Sequence, residues 1–372
     1  MIITLFYMYD LKIKYFLFNL FLILLNKSLP LILLIQKIKN MKNLFKKISL
    51  VVLCSLVISC DNEDTNSQKT ITEIAVANPN LSILVTALNR TNLATTLDGN
   101  GQFTVFAPTN DAFNTFFASL GSGVNVNNVN EAVLKAILLN HVIGSEIMST
   151  AIPSATYAAT LSPINSSVNA PTISMFVQKS GSNVFINGGT ATTGVKVTTA
   201  DVDASNGVIH IVNAVIRIPT VVDHVVANPE FDTLQAVVTS TGGTFGNQSA
   251  VLNALSGLTA SAPATLFAPN NAAFTAATTG TGFAVGATAQ QVTKVLQYHV
   301  TTAGNVRSNQ LTNNQVIPMI TSPVQNTTVI LGTGIVDIRD TSNTLSRVFQ
   351  ADIQASNGVI HGVNKVLRPV FN

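Results

Sequence analysis

The chain has 372 residues, 47% of them apolar and only 10% charged, with 2 Cys, no Trp and a formal net charge of +3. Residues 1–60 hold 8 Lys/Arg and 1 acidic residue, a balance of +7, whereas residues 61–372 hold 12 Lys/Arg and 16 Asp/Glu, a balance of −4. The bulk of the chain is thus mildly acidic and has no Lys/Arg cluster, which excludes a phosphate-neutralising surface and, with it, nucleic acid as a partner.

Residues 1–60 read as a leader. The apolar runs 15–25 and 29–35 are interrupted by Asn26, Lys27, Ser28 and Pro30, which is awkward for a continuous span of about 20 residues. The simplest reading is a start assigned too early, with Met41 the initiator; the alternative is an extra membrane segment. From Met41, Lys42, Lys46 and Lys47 form a charged n-region and 48–58 an apolar core, the pattern of a signal peptide. It ends Val57-Ile58-Ser59-Cys60, which resembles a bacterial lipobox; the resemblance implies that Cys60 is lipidated and becomes the mature N-terminus. The expected partner is therefore a membrane, through that anchor, and the expected place is the outer membrane of an exporting cell, at the surface rather than the periplasmic face. Cys54 and Cys60 are the only cysteines, so the mature chain is expected to have no disulfide, no thiol nucleophile and no Cys-based zinc site. Residues 61–70 read as an acidic flexible tether. Its acidic run is either similar to a surface-display signal or a plain solvated linker.

Beyond the tether the elements fall in a repeating order. Ile74, Leu81, Ile83, Leu84, Ala87 and Leu88 lie near helical spacing, with Asn78-Pro79 marking a local start. Phe103, Val105 and Ala107 alternate as a strand ending at Pro108. Thr109 or Asn110 is placed to cap a helix that buries Ala112, Phe113, Phe116 and Phe117. A further apolar helical stretch leads to His141. Runs at 175–177, 184–186 and 195–197 then predict strands, with turns at 181–183 and 187–189. Helices first and strands later give an α+β class.

The stretch 200–216, ADVDASNGVIHIVNAVI, closes this order and recurs at 351–367 as ADIQASNGVIHGVNKVL. The dipeptides Asn206-Gly207 and Asn357-Gly358 suit a type I′ hairpin turn, whose central residues both need φ > 0. On that reading Asn206→Ala or Gly207→Val costs about 1 kcal/mol or more by loss of the turn. His210 and His361 fall inside the apolar strand that follows and are expected to be core histidines bonded to nearby backbone. Val76-Ala77-Asn78-Pro79 also recurs at Val226, and TVFAPTNDAF at Thr104 recurs as TLFAPNNAAF at Thr265. Val76 lies 134 residues before His210 and Val226 lies 135 before His361, so the chain holds two copies of one unit, 71–219 and 220–372. No Gly/Ser-rich spacer separates them, and the domains are expected to touch. His224, where the first copy has Ile74, would lie at that seam, as a surface histidine or as a pH-sensitive contact.

The block F-A-P-[ST]-[ND]-x-A-F, carrying Phe106 and Pro108 and again Phe267 and Pro269, followed by N-G-x-I-H-x-[VI]-[DN]-x-[VL], resembles the fasciclin (FAS1) domain. Asn270 and Ala272 depart mildly from it. The resemblance implies a wedge or sandwich of strands with helices packed at one end, and a role in adhesion. The family's Tyr-His pair reads Asn140-His141 in the first copy and Tyr298-His299 in the second. With Asp337-Ile338 these are only fragments of the motifs that matter in animal relatives, and integrin binding is not carried over on them.

The sequence carries none of the usual catalytic motifs. It has no G-x-S-x-G elbow, no phosphate loop and no H-E-x-x-H. Asp201 and Asp203 could share a strand face, but the second copy offers Asp352 and Gln354, too little charge for calcium. Glycan stacking has little to use, since only Tyr157 and Tyr298 lie beyond the leader. The expectation is a non-catalytic adhesion or matrix-binding module without cofactor or metal. Its partners would be extracellular matrix, polysaccharide or another surface protein. A periplasmic structural or polysaccharide-binding lipoprotein is the alternative, and an accessory enzyme of glycan metabolism the second.

Overall fold

Thr70 and Thr220 start the two domains in the same way. In the computed structural model, which describes residues 68–371 apart from 100, 189–193, 281 and 283, each threonine closes a capping box. Thr70 pairs with Glu73 at the head of α1 (Ile71–Ala77), and Thr220 with Asp223 at the head of its counterpart in domain 2. Each box satisfies helix-end N–H groups that would otherwise lack partners. The leader, Cys60 and the tether to residue 67 lie outside the described residues.

In domain 1, Asn78 ends α1 and its side chain accepts from Asn80 N, turning the chain through Pro79 into α2 (Ser82–Arg90). Then follow α3 (Ala94–Leu97), β1 (Phe103–Pro108), α4 (Asn110–Leu120), α5 (Glu131–Asn140) and β2 (Val142–Ile143). The domain finishes with β3 (Ala155–Pro163), β4 (Thr172–Ser180), β5 (Asn183–Ile186), β6 (Val195–Ala204) and β7 (Gly207–Val212). Thr109 is the cap of α4, accepting from Ala112 N. The strand β3 carries no signal a sequence reader would use, because its ATYAATLSP is poor in β-branched residues.

Domain 2 repeats the order with α6 (Val221–Ala227), α7 (Asp232–Val238), α8 (Ser249–Ser256), β8 (Ala264–Pro269), α9 (Asn271–Thr278), α10 (Ala289–Gln297) and β9 (Val300–Thr301). Its later strands are β10 (Val316–Pro318), β11 (Asn326–Gly332), β12 (Ile335–Arg339), β13 (Leu345–Ala355) and β14 (Gly358–Val363).

As expected, each domain joins its strands to helices packed against them, and the strands form one continuous sheet per domain. In domain 1 strands β1 to β7 close into a barrel, with β1 running parallel to β7 and β2 meeting β3 at Ile143 and Thr160. In domain 2 the sheet runs β10-β11-β12-β13-β14-β8-β9 and stays open. The edge strand β10 is short and ends at Pro318, which has no N–H with which to extend a ladder. Near that gap Ile320 N donates to Val300 O at 3.0 Å.

The parallel pair divides two cores, so its residues are buried on both faces. On β1, Val105 and Ala107 face the helices, while Phe106 faces the strand-lined interior with Met175, Ile186 and Val212. In domain 2, Leu266 and Ala268 face the helices and Phe267 the interior with Val329, Ile338 and Val363.

The hairpin differs from its expected form. Ala204 pairs with Gly207 and Ala355 with Gly358, so the two loop residues are Ser205-Asn206 and Ser356-Asn357. Neither asparagine has positive φ, and the turn is not a type I′ turn centred on Asn-Gly. The glycines are required for another reason. A Cβ on Gly207 would stand 2.0 Å from the Phe103 carbonyl oxygen, and on Gly358 2.3 Å from that of Ala264. Close approach of the parallel strand dictates glycine at both places, aided in the first by φ +138°.

Candidate functional site

The two hairpin asparagines act as staples. Asn206 Oδ1 accepts from Ile71 N at 2.9 Å and its Nδ2 donates to Leu97 O at 2.5 Å. Asn357 Oδ1 accepts from Val221 N at 2.8 Å and its Nδ2 reaches Leu255 O and Leu258 O at 3.5 and 3.4 Å. Each asparagine ties the last hairpin of its domain to the first helical residue, across more than 130 positions of chain.

The motif histidines support an irregularity in the strand paired with their own. His210 Nδ1 accepts from Asp201 N at 3.2 Å while Nε2 faces Ile147 O at 3.0 Å; His361 does the same with Asp352 N at 3.3 Å and Val306 O at 2.9 Å. Asp201 and Asp352 sit at bulges with φ +58°. Their carboxylates are already engaged: Asp201 accepts from Ser149 N at 2.7 Å and Ser149 Oγ at 2.5 Å, and Asp352 accepts from Ser308 N at 2.8 Å and from Ser308 Oγ. His141 and His299 form a second matched pair. Each Nδ1 faces the carbonyl of Ile137 or Val295 at 2.7 Å, and each Nε2 accepts from Ile216 N or Leu367 N at 2.8 Å.

A ring nitrogen facing a carbonyl must carry the proton, and one receiving an N–H must not. All four histidines are therefore neutral, with both nitrogens committed. Burial lowers all four below the ordinary histidine value, to about 4 for His141 and His299. No nitrogen is left to accept a substrate proton, so none of the four can serve as a general base in this geometry.

Asn206, Gly207, His210, Phe106 and Pro108, and Asn357, Gly358, His361, Phe267 and Pro269, are all buried. They form two internal nodes, with Phe106 against His210 (ring centroids 5.3 Å) and Phe267 against His361 (5.7 Å). None can touch an external partner. Tyr298 is fully buried and its hydroxyl donates to Asn326 O at 2.7 Å. Asn140 takes that place in domain 1, donating to Ile216 O and Arg217 O at 3.3 and 3.2 Å. Asp337 is held bidentately by Arg347, at 2.5 and 3.1 Å, and Ile338 is buried. Neither pair is displayed as a recognition motif. Among the described residues no group of three or more His, Cys, Asp or Glu is placed to hold a metal ion.

What the structure adds is the seam between the domains. His224 is fully buried there, not at the surface. Its Nε2 faces Gln354 O at 3.3 Å, its Nδ1 has no hydrogen-bond partner among the described residues, and its ring packs edge-on with that of Tyr157 from β3 at 5.5 Å between centroids. Burial lowers His224 to about 4 and pushes the Tyr157 phenol up. Asn228 donates to the Tyr157 hydroxyl at 3.2 Å, Gln354 N donates to Ser174 Oγ at 2.9 Å, and Gly188 lies so close to Ala227 that an added Cβ would stand 2.7 Å from its Cα. The seam was foreshadowed by repeat asymmetry. Asp203, exposed in domain 1, is replaced at the matching place by Gln354, which is buried and whose Nε2 donates to Asn305 Oδ1 and Gly358 O.

The described residues thus form a tandem of two domains of mixed α/β fold, each with a barrel or sheet and helices and with shared motifs spent on internal structure. The family model of the fasciclin domain matches residues 79–219 and 232–369, and the chain belongs to that family. Fasciclin domains are adhesion-type modules and generally non-catalytic. The chain is 36% identical over 155 residues to Protein sll1483 of Synechocystis sp., covering 42% of this chain and 77% of that protein. It is 24% identical over 277 residues to the transforming growth factor-beta-induced protein ig-h3 of Sus scrofa, covering 73% of this chain but 35% of that protein. A solved FAS1 domain pair from the insect cell adhesion molecule Fasciclin I aligns with 80% of this chain and 96% of its own, at 17% identity and a TM-score of 0.44.

Proposed function

We propose that this chain is an exported, lipid-anchored, non-catalytic module that adheres through its two fasciclin domains to extracellular matrix, polysaccharide or another surface protein. The observation that carries the reading is the tandem itself, two domains of an adhesion-type family in one chain. The burial of Asn206, Gly207, His210, Phe106 and Pro108 and of their counterparts in domain 2 supports it, because contacts are then left to loops and outer strand faces. Acyl chains on Cys60 would hold one end in the membrane and residues 61–68 would give reach; the expected tether stops short of 70, because Lys69 O accepts from Ser205 N at 3.0 Å and Thr70 caps α1. Two contacts at a spacing set by the seam would raise avidity only for a partner that matches that spacing.

Protease treatment of intact cells, followed by immunoblot of wild type and Cys60→Ala, tests the reading. Cleavage of the wild type from outside, with the variant lost from the membrane fraction, is the expected result. A protected wild type would overturn surface display and put the periplasmic, envelope-organising alternative in its place.

A further inference from the structure

The two domains place different side-chain volumes at one matched site. Asn110 and Asn271 fix the alignment: each accepts from a backbone N–H of the preceding helical segment (Ile83 or Thr233, both 2.9 Å) and donates to a proline carbonyl (Pro79 or Pro229). Counting on from them, Phe113 matches Phe274, but Phe116 matches Ala277 and Phe117 matches Thr278. In domain 1 both extra rings are buried in the helix-side core, with Phe117 5.7 Å from Phe113 and 5.6 Å from Phe116. Counting back from the next helix caps, Asn130 and Thr288, buried Val129 matches Ala287 and Val126 matches Ala284. All four replacements in domain 2 remove volume toward the same spot.

Among the described residues the smaller side chains leave an open space. Ala277, Thr278, Ala284 and Ala287 all line one cavity of about 150 Å³, whose larger walls include Val237, Phe245, Phe274, Val292, Val295 and Val366. Among the described residues its lining has no charged side chain, and the Thr278 hydroxyl is already donating to Phe274 O at 2.7 Å. A cavity of about 150 Å³ lined by such side chains is the size that stays dry and takes up benzene. An isolated cavity would only cost stability. Four concerted truncations around one apolar hollow, in a domain whose sister fills that place with phenyl rings, describe a receptor for such a ring.

We propose that domain 2 carries a ligand pocket between α7, α9 and α10 for an uncharged small molecule bearing one six-membered aromatic ring. This site goes beyond the adhesion reading and stands or falls without it. The lining would accept hydrocarbon faces and reject an ionised group, which would be buried without a partner.

The test uses the whole chain with toluene as probe, read by methyl NMR of Val237, Val292 and Val295. Saturable shifts confined to these methyls are expected, together with a raised melting temperature. Benzoate is expected to bind at least tenfold more weakly. The double variant Ala277→Phe/Thr278→Phe, which restores the domain 1 pair, should abolish the shifts; Ala287→Val should weaken binding severalfold if the double variant does not fold. Absence of saturable shifts in the wild type, equal binding of benzoate, or undiminished binding in the filled variants would each overturn the proposal.

Discussion

Asn206→Ala separates two explanations of the hairpin asparagine. If its only task were the turn, alanine would cost about 1 kcal/mol and aspartate almost nothing, since aspartate suits such turns nearly as well. The structure gives it a larger task. Alanine removes the acceptor of Ile71 N and the donor to Leu97 O, both in buried surroundings. A buried polar group stranded in this way costs about 1–3 kcal/mol, so the pair amounts to roughly 2–4 kcal/mol after partial rescue by water. Asn206→Asp keeps the acceptor for the helix N-terminus but sets a carboxylate oxygen against the Leu97 carbonyl, so it should cost at least about 1 kcal/mol. Urea denaturation followed by circular dichroism measures the loss, and hydrogen exchange at the Ile71 amide localises it. A loss under about 0.5 kcal/mol for alanine, or an aspartate variant as stable as wild type, would refute the staple and return the residue to turn formation.

Two further predictions concern the seam and acid. Ser174→Ala removes the acceptor of Gln354 N at the seam and should destabilise by about 1 kcal/mol, with the two domains melting as more distinct transitions in calorimetry; an unchanged single transition would count against a seam that couples them. His141, His224 and His299 are each lowered to about 4 by burial, so between pH 6.5 and 4 the unfolded chain binds more protons than the folded one. Stability is then fully present above pH 6.5 and is lost as pH falls toward 4, on the order of 3 kcal/mol per histidine. Urea midpoints taken from pH 7 to 4.5 should fall steadily, and less steeply in His224→Gln; a flat wild-type profile would sink the assignment of buried neutral rings.

The sequence by itself determined the duplication, the class of fold and the elements with strong local signals. Phe103, Val105 and Ala107 alternate in it, Thr109 stands at a cap, and His210 lies in an apolar run; each is a matter of neighbours within a few residues, and local chemistry decides them. The same locality misled at Asn206-Gly207, because a dipeptide cannot reveal that a parallel strand passes 2.0 Å from where a Cβ would be. It gave β3 no signal, since that strand is held by its pairing to β4 and not by its own propensity. Only tertiary structure decided that one sheet closes and the other stays open. Only it buried His224, through contacts with Tyr157 and Gln354 that lie 67 and 130 positions away. The volume lost from Phe116 to Ala277 was visible in the aligned repeats, but whether a neighbour would fill it depends on packing density around α9, which no pattern along the chain encodes.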